Sequence, residues 1–238
     1  MNPHGFPQHE RSAAPVPDRL YGRRRGHPLR QRQQRLMDVT LPRLALDPAD
    51  PLAAFPVRPQ ELWLEVGFGG GEHALAQIEA NPQAGLIAAE VFENGICSLL
   101  TRLVPEEQEA TAPLPPNLRL WTEDARRLLR TLPEASLSRL FLMFPDPWPK
   151  ARHAKRRFVH PSIIPVLARA IRPGGEWRIA TDDPTYQEWV VEVMGAQDAF
   201  TRVSLELSRP EGWPGTRYEA KALREGRQPM YWVWRRQG

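Results

Sequence analysis

The chain has one cysteine, Cys97, so an intrachain disulfide and a cysteine-based metal cluster are both excluded. Lysine is almost as scarce, with Lys150, Lys155 and Lys221 set against 29 arginines. No apolar run approaches the roughly 20 residues needed to cross a bilayer. The opening stretch MNPHGFPQHERSAAPVPDRL also has no apolar segment of signal-peptide type. These absences lead us to expect a cytoplasmic protein with no membrane partner and no metal. Acids are absent from residues 148–158, which carry five Lys/Arg and no Asp or Glu.

The charge that is present is unevenly placed. Residues 1–58 hold ten Arg against five acids, whereas the chain outside the two basic segments has 17 basic and 23 acidic residues. A mildly acidic body with two basic segments suits a polyanionic partner, although a solvated basic surface would look the same by charge alone.

Residues 1–58 are rich in Pro and Arg and show no sustained apolar period. They read as a flexible or loosely docked basic arm with a short helix around Leu29–Val39. From Glu61 the pattern becomes regular. Strand-like runs at 61–67, 84–91, 118–124, 137–144 and 176–183 alternate with helix-like segments near 71–80, 93–103, 124–131, 160–171 and 184–195. Such alternation predicts a parallel sheet covered by helices on both faces. Two further strands are expected at 199–207 and 229–236, joined by a Gly/Pro-containing loop. Residues 104–117 read as a helix end and an acidic, Pro-rich surface loop. The expected division is a basic extension over 1–58 and one domain over 59–238.

The first strand runs into LEVGFGGGEH, with Gly67, Gly69, Gly70 and Gly71 opening a helix. Glycines there let the backbone turn tightly and approach a ligand. A dinucleotide fingerprint would need a small residue where Glu72 stands, and a phosphate-binding loop would need Gly-Lys-Ser/Thr, which is absent. The acid before the glycines, Glu65, repels phosphate and suits a cationic amino group better.

Glu65-x-Gly67-x-Gly69-x-Gly71 resembles the first motif of class I S-adenosylmethionine (SAM)-dependent methyltransferases. Glu90 ends the second strand, 23 residues after Gly67, where it can accept hydrogen bonds from ribose hydroxyls. Asp124 ends the third, where that family commonly reads the adenine amino group. Asp146 follows the fourth, in FPDPWPKARHAKRR, which resembles the signature of the bacterial single-chain tRNA (guanine-N7-)-methyltransferases. AAEVFENGI, ATDD and TRYEAKALREG extend the likeness over residues 61–236. YGRRRG resembles the family's basic N-terminus much less specifically. Pro149 stands where the family pattern leads one to expect histidine, and the 104–117 loop is longer than usual.

The resemblance implies a Rossmann-like, seven-stranded, mostly parallel sheet with helices on both faces, plus the basic N-terminal arm. It also implies SAM as cofactor, tRNA as partner, and methylation of guanine N7 at position 46 of the variable loop. Carried over residue by residue, Glu65, Gly67, Gly69, Gly71, Glu90, Asp124 and Asp146 hold the donor, and Asp146 is catalytic. Lys150, Asp182, Thr216, Arg217, Tyr218 and Glu219 contact the substrate. Arg152, His153, Lys155, Arg156 and Arg157 lie against the RNA. Guanine N7 carries a lone pair and no proton, so the reaction calls for alignment and electrostatic stabilisation rather than a general base. Another class I methyltransferase with a different substrate, and a non-catalytic RNA-binding protein on the same fold, stay open at this point. A nicotinamide oxidoreductase is disfavoured by Glu65 and Glu72.

Overall fold

A computed structural model describes residues 21–47 and 49–238; the first twenty residues of the expected arm lie outside the described residues. The body is one sheet of seven strands: β1 (Glu61–Val66), β2 (Ala84–Ala89), β3 (Leu118–Trp121), β4 (Leu137–Met143), β5 (Ile171–Thr181), β6 (Phe200–Glu206) and β7 (Met230–Arg236). Their order is β3-β2-β1-β4-β5-β7-β6, with β7 antiparallel to both its neighbours and the other pairings parallel. Among the described residues, no helix is long and apolar enough to cross a membrane.

The central strands are continuous apolar runs because both of their faces are covered. All six residues of β2 are buried, and successive side chains enter opposite cores. Leu64, Ile87, Leu140, Leu142 and Trp177 pack with α4 (Ala125–Thr131), α5 (Ile164–Ala170) and α6 (Pro184–Gly195). Trp63, Leu86, Ala88, Phe141 and Met143 pack with α2 (Glu72–Ala80) and α3 (Glu93–Leu103). Full burial of one such side chain is worth about 1.5–3 kcal/mol. Consecutive strands move outward from β1 to β3, and the chain then returns to place β4 on the other side of β1. That reversal opens a crevice at the carboxyl ends of β1 and β4, where open α/β sheets take their ligands.

The structure corrects the reading of 1–58 as loosely docked, at least from residue 21 on. The expected helix forms as α1 (Gln31–Arg35), followed by a π-helical turn Leu36–Thr40 and a 3-10 turn Leu41–Leu44. Leu36 and Leu44 are buried against the α2/α3 face, and Phe55 against the other. Arginine side chains then sew the segment to the 104–117 loop. Arg32 Nη2 donates to the Val104 carbonyl at 2.7 Å, and Arg43 Nη2 to that of Ala112 at 2.8 Å. Their anchoring apolar residues are spaced too irregularly to show a period in the sequence.

Two more differences appear. β5 begins at Ile171, earlier than expected, with an irregularity across Arg172–Gly175 before the regular register resumes at Glu176. The segment between β6 and β7 contains α7 (Arg217–Arg224) where only a loop was expected.

Candidate active site

A cleft of about 390 Å³ lies at the carboxyl ends of β1, β2 and β4. Of the residues singled out from sequence, Gly67, Gly69, Glu90, Asp124, Asp146, Arg156 and Tyr218 line it.

The glycine loop forms its floor. Gly71 has φ of 83°, and a Cβ there would lie 2.7 Å from Leu99, so both backbone and packing demand glycine. Gly69 N donates to Glu90 Oε2 at 2.8 Å, which ties the loop to the end of β2. The space a Cβ would occupy on Gly67 holds no atom within 4 Å, so the loop presents bare backbone to the cleft.

Glu90 Oε1 accepts from the backbone amides of Val91 and Phe92, at 2.7 and 2.9 Å. Burial raises its pKa above the ordinary glutamate value; these amide bonds oppose the shift and the charge on Asp146 adds to it. Asp124 caps α4, its Oδ1 accepting from Arg126 N at 2.9 Å. Its Oδ2 is buried with no hydrogen-bond partner, and the Arg126 guanidinium stands 3.8 Å away. An orphaned carboxylate oxygen on a residue that lines the cleft fits a ligand that donates hydrogen bonds, as an adenine amino group does.

Glu65 is placed differently from its expected role. It is buried and does not line the cleft; its Oε2 accepts from His73 Nδ1 at 2.9 Å. Gln77 Nε2 lies 3.3 Å from His73 Nε2, which fixes the ring proton on Nδ1 when that amide donates. In this arrangement the carboxylate orients a core histidine.

Asp146 is exposed at the mouth of the cleft, on a stiff turn. Phe144 and Trp148 flank it with φ of 51° and 45°, unusual for residues with side chains, and Pro145 and Pro147 fix the positions between. Arg157 holds this turn from inside: it is buried, and its Nε and Nη2 donate to the carbonyls of Pro147 and Trp148, each at 3.1 Å. It is therefore a brace for the turn, where an RNA contact was expected.

The rest of the basic run forms a 3-10 helix, Ala151–Arg156, with Lys150, Arg152 and Lys155 exposed. His153 lies edge-on to Trp148, ring centroids 5.9 Å apart. Desolvation, then the surrounding Arg156, Arg152, Lys150 and Lys155, lower its pKa, which keeps it neutral at neutral pH.

Among the substrate candidates, Thr216 and Glu219 form a capping box at the start of α7. Glu219 is buried and already engaged. Its Oε1 accepts from the Tyr231 hydroxyl at 2.8 Å, and its Oε2 from Arg209 at 3.3 Å. The cap sets Tyr218 over the glycine loop, with its ring 3.1 Å from where a Gly69 Cβ would be; Arg217 stacks on that ring at 5.0 Å. Asp182 Oδ2 accepts from Arg227 Nε at 2.5 Å and lies outside the cleft lining. Thr216→Ala should lower stability by about 1 kcal/mol through the lost cap, read as a lower urea midpoint with an unchanged slope.

Tyr21, Arg23 and Arg126 also line the cleft. The first two fall in YGRRRG, which the sequence marked only as basic, and nothing local marks Arg126. Sequence reasoning missed α7, although the spacing Thr216-x-x-Glu219 before an apolar pair is a helix-start signal. Among the described residues, no group of three or more His, Cys, Asp and Glu is arranged to hold a metal ion.

The strand order, the glycine loop at the end of β1 and the acids at the ends of β2 and β3 define a class I SAM-dependent methyltransferase. Solved structures agree at the level of fold. The 16S rRNA methyltransferase KamB superposes with a TM-score of 0.54 at 15% identity, covering 76% of this chain and 89% of its own. A variant of the 16S rRNA (adenine(1408)-N(1))-methyltransferase from Catenulisporales acidiphilia, solved with SAM, gives 0.53 at 15%, covering 81% and 92%. Residues 59–231 match the family described as "Putative methyltransferase". The tRNA (guanine-N(7)-)-methyltransferase of Granulibacter bethesdensis is 68% identical over 91% of this chain and 94% of its own length. That of Rhodospirillum rubrum is 45% identical over 92% and 88%. The chain belongs to the tRNA (guanine-N(7)-)-methyltransferase family.

Proposed function

We propose that this chain transfers a methyl group from SAM to N7 of a guanine in tRNA, at position 46 of the variable loop, acting in the cytoplasm. One juxtaposition carries the reading: exposed Asp146 stands at the mouth of the cleft, and the exposed cations Lys150, Arg152 and Lys155 follow it on the next turn. A donor site thus adjoins a polyanion track, with a single carboxylate between them.

Within the cleft, Gly67 and Gly69 offer backbone, Glu90 offers acceptors suited to a diol, and Asp124 Oδ2 accepts from an exocyclic amine. Bound there, SAM supplies a methyl group on a positively charged sulfur. Asp146 accepts hydrogen bonds from the guanine N1–H and N2–H₂ edge, aligning the base and favouring the positive charge that its ring acquires. No residue has to remove a proton, because N7 has none to lose. Trp148 and Phe144 offer faces on which the base can stack, worth about 1–3 kcal/mol. Lys150, Arg152 and Lys155 hold phosphates while the guanine leaves its own stack, at a cost of a few kcal/mol. Incubating the protein with unmodified tRNA and methyl-labelled SAM, then mapping the labelled nucleotide, tests the reading. Label at any atom other than a guanine N7, or none in tRNA at all, would sink it.

The raised pKa of Glu90 gives the donor site a pH dependence with a definite sign. A carboxyl whose pKa is higher in the fold binds its proton more tightly there, so this group favours folding as pH falls through the raised value. Donor binding runs the other way, since protonation removes an acceptor. SAM affinity measured by calorimetry between about pH 5 and 8 should weaken toward the acid end, at a pH above the ordinary glutamate range. Glu90→Gln should bind more weakly and flatten that profile; a wild-type profile in the variant would assign the dependence to another group.

A further inference from the structure

The Arg156 guanidinium stands apart from its basic neighbours. Its carbon lies 5.4 Å from the Tyr21 ring centre and 4.9 Å from that of Trp148, its Nε is buried without a partner, and it lines the donor cleft. Tyr21, Gly22 and Arg23 line the same cleft. The residues that follow them are fastened to the first turn of α3. Arg24 O accepts from Glu93 N at 2.9 Å, and Arg25 pairs with the Glu93 carboxylate at 3.2 Å. Asn94 reaches the chain twice: its Oδ1 accepts from Gly26 N at 2.9 Å, and its Nδ2 donates to His27 O at 3.1 Å. A Cβ on Gly26 would lie 2.5 Å from Asn94 Oδ1 and 2.8 Å from the Phe92 ring, so the fit leaves no room for a side chain.

We propose that residues 21–27 form a strap that is the outer wall of the donor site, and that Arg156 clasps this wall to the Asp146 turn as a positioning residue for the donor. The inference rests on the cleft being the SAM site. A strap docked on α3 at one end and stacked through Arg156 on Trp148 at the other closes the cleft between β2 and β4. Cation–π stacking is strongest where water is excluded, and the buried, unpartnered Nε shows such exclusion. Arg156 thereby leaves the phosphate track to Lys150, Arg152 and Lys155. It also joins the donor wall to the RNA-facing segment, so donor retention and tRNA docking share one side chain.

The test measures SAM affinity calorimetrically, together with KM for SAM and for tRNA, in the full chain. Its variants are Asn94→Ala, which frees the strap from α3, Tyr21→Ala, which removes one side of the clasp, and Arg156→Gln. Asp124→Asn serves as a donor-site control. All three strap variants should weaken SAM binding by about tenfold, the scale of a desolvated cation–π contact. Asn94→Ala and Tyr21→Ala should leave the KM for tRNA within about twofold. Tyr21→Ala touches no core position, so a folding defect in Asn94→Ala would leave the measurement intact. Unchanged SAM affinity in Tyr21→Ala and Arg156→Gln, with Asp124→Asn impaired, overturns the strap while keeping the donor cleft. Wild-type affinity in Asp124→Asn, or no SAM binding by the native protein, would instead overturn the reading of the cleft itself. A raised KM for tRNA with unchanged SAM affinity in Arg156→Gln would return Arg156 to the RNA track and overturn its clasping role.

Discussion

Asp146→Ala is expected to lower methyl transfer to tRNA by about 10²–10³-fold, the range seen when one preorganised electrostatic contact to a transition state is removed. SAM affinity should change little if, as proposed, the donor is held chiefly by the glycine loop, Glu90 and Asp124. The physical basis is the position of the carboxylate. It is exposed at the mouth of the cleft, and proline and left-handed backbone on either side confine it. On the proposed reading, alanine removes both the acceptors for the guanine edge and the counter-charge for the methylated ring. Asp146→Asn is the sharper variant, since it keeps one acceptor and the shape but loses the charge. It should recover alignment more than rate, so its KM for tRNA should lie nearer wild type than its kcat. Near wild-type turnover in Asp146→Ala would remove the carboxylate from the mechanism.

Reversing the exposed cations should have the second large effect. The triple change Lys150→Glu, Arg152→Glu and Lys155→Glu alters the local charge by six units and touches no residue of the donor cleft. Binding to tRNA should fall by at least about 10²-fold at low salt. The slope of log K against log salt should become shallower by about 2–3, at roughly 0.7–0.9 per lost phosphate contact. SAM affinity should be unchanged. Arg157→Met is an informative contrast, because that guanidinium braces the turn. It should lower stability and turnover with a near-normal salt slope. An unaltered slope in the triple variant would move the RNA track to another face.

Much of the fold and part of the site were legible in the sequence, for identifiable reasons. Buried parallel strands such as Ala84–Ala89 and Leu137–Met143 are unbroken apolar runs. The strand ends at Gly67, Glu90 and Asp124 carry residue types that a solvated turn would not assemble together. What was not legible depends on contacts between distant segments. Glu65 reads as a ligand for a cation, and only the approach of α2 to β1 gives it His73. Arg157 sits in a basic run as though it were surface, yet it alone of that run is buried. The docking of residues 21–58 hangs on scattered Leu36, Leu44 and Phe55, and on arginines that bond to carbonyls far along the chain. Only α7 had an unused local signal, the Thr216–Glu219 spacing.

The turn that carries Asp146 has no hinge. Its prolines, its two left-handed residues and the Arg157 bonds from within restrict how far the backbone under the carboxylate can shift toward a base that arrives out of place. Adaptation therefore falls to the nucleic acid, and discrimination among tRNAs becomes a property of the tRNA's own mechanics. Substrates whose target guanine is weakly tied in its tertiary pair should be methylated fastest, and a mutation that loosens that pair in a poor substrate should raise kcat/KM with no change in the protein.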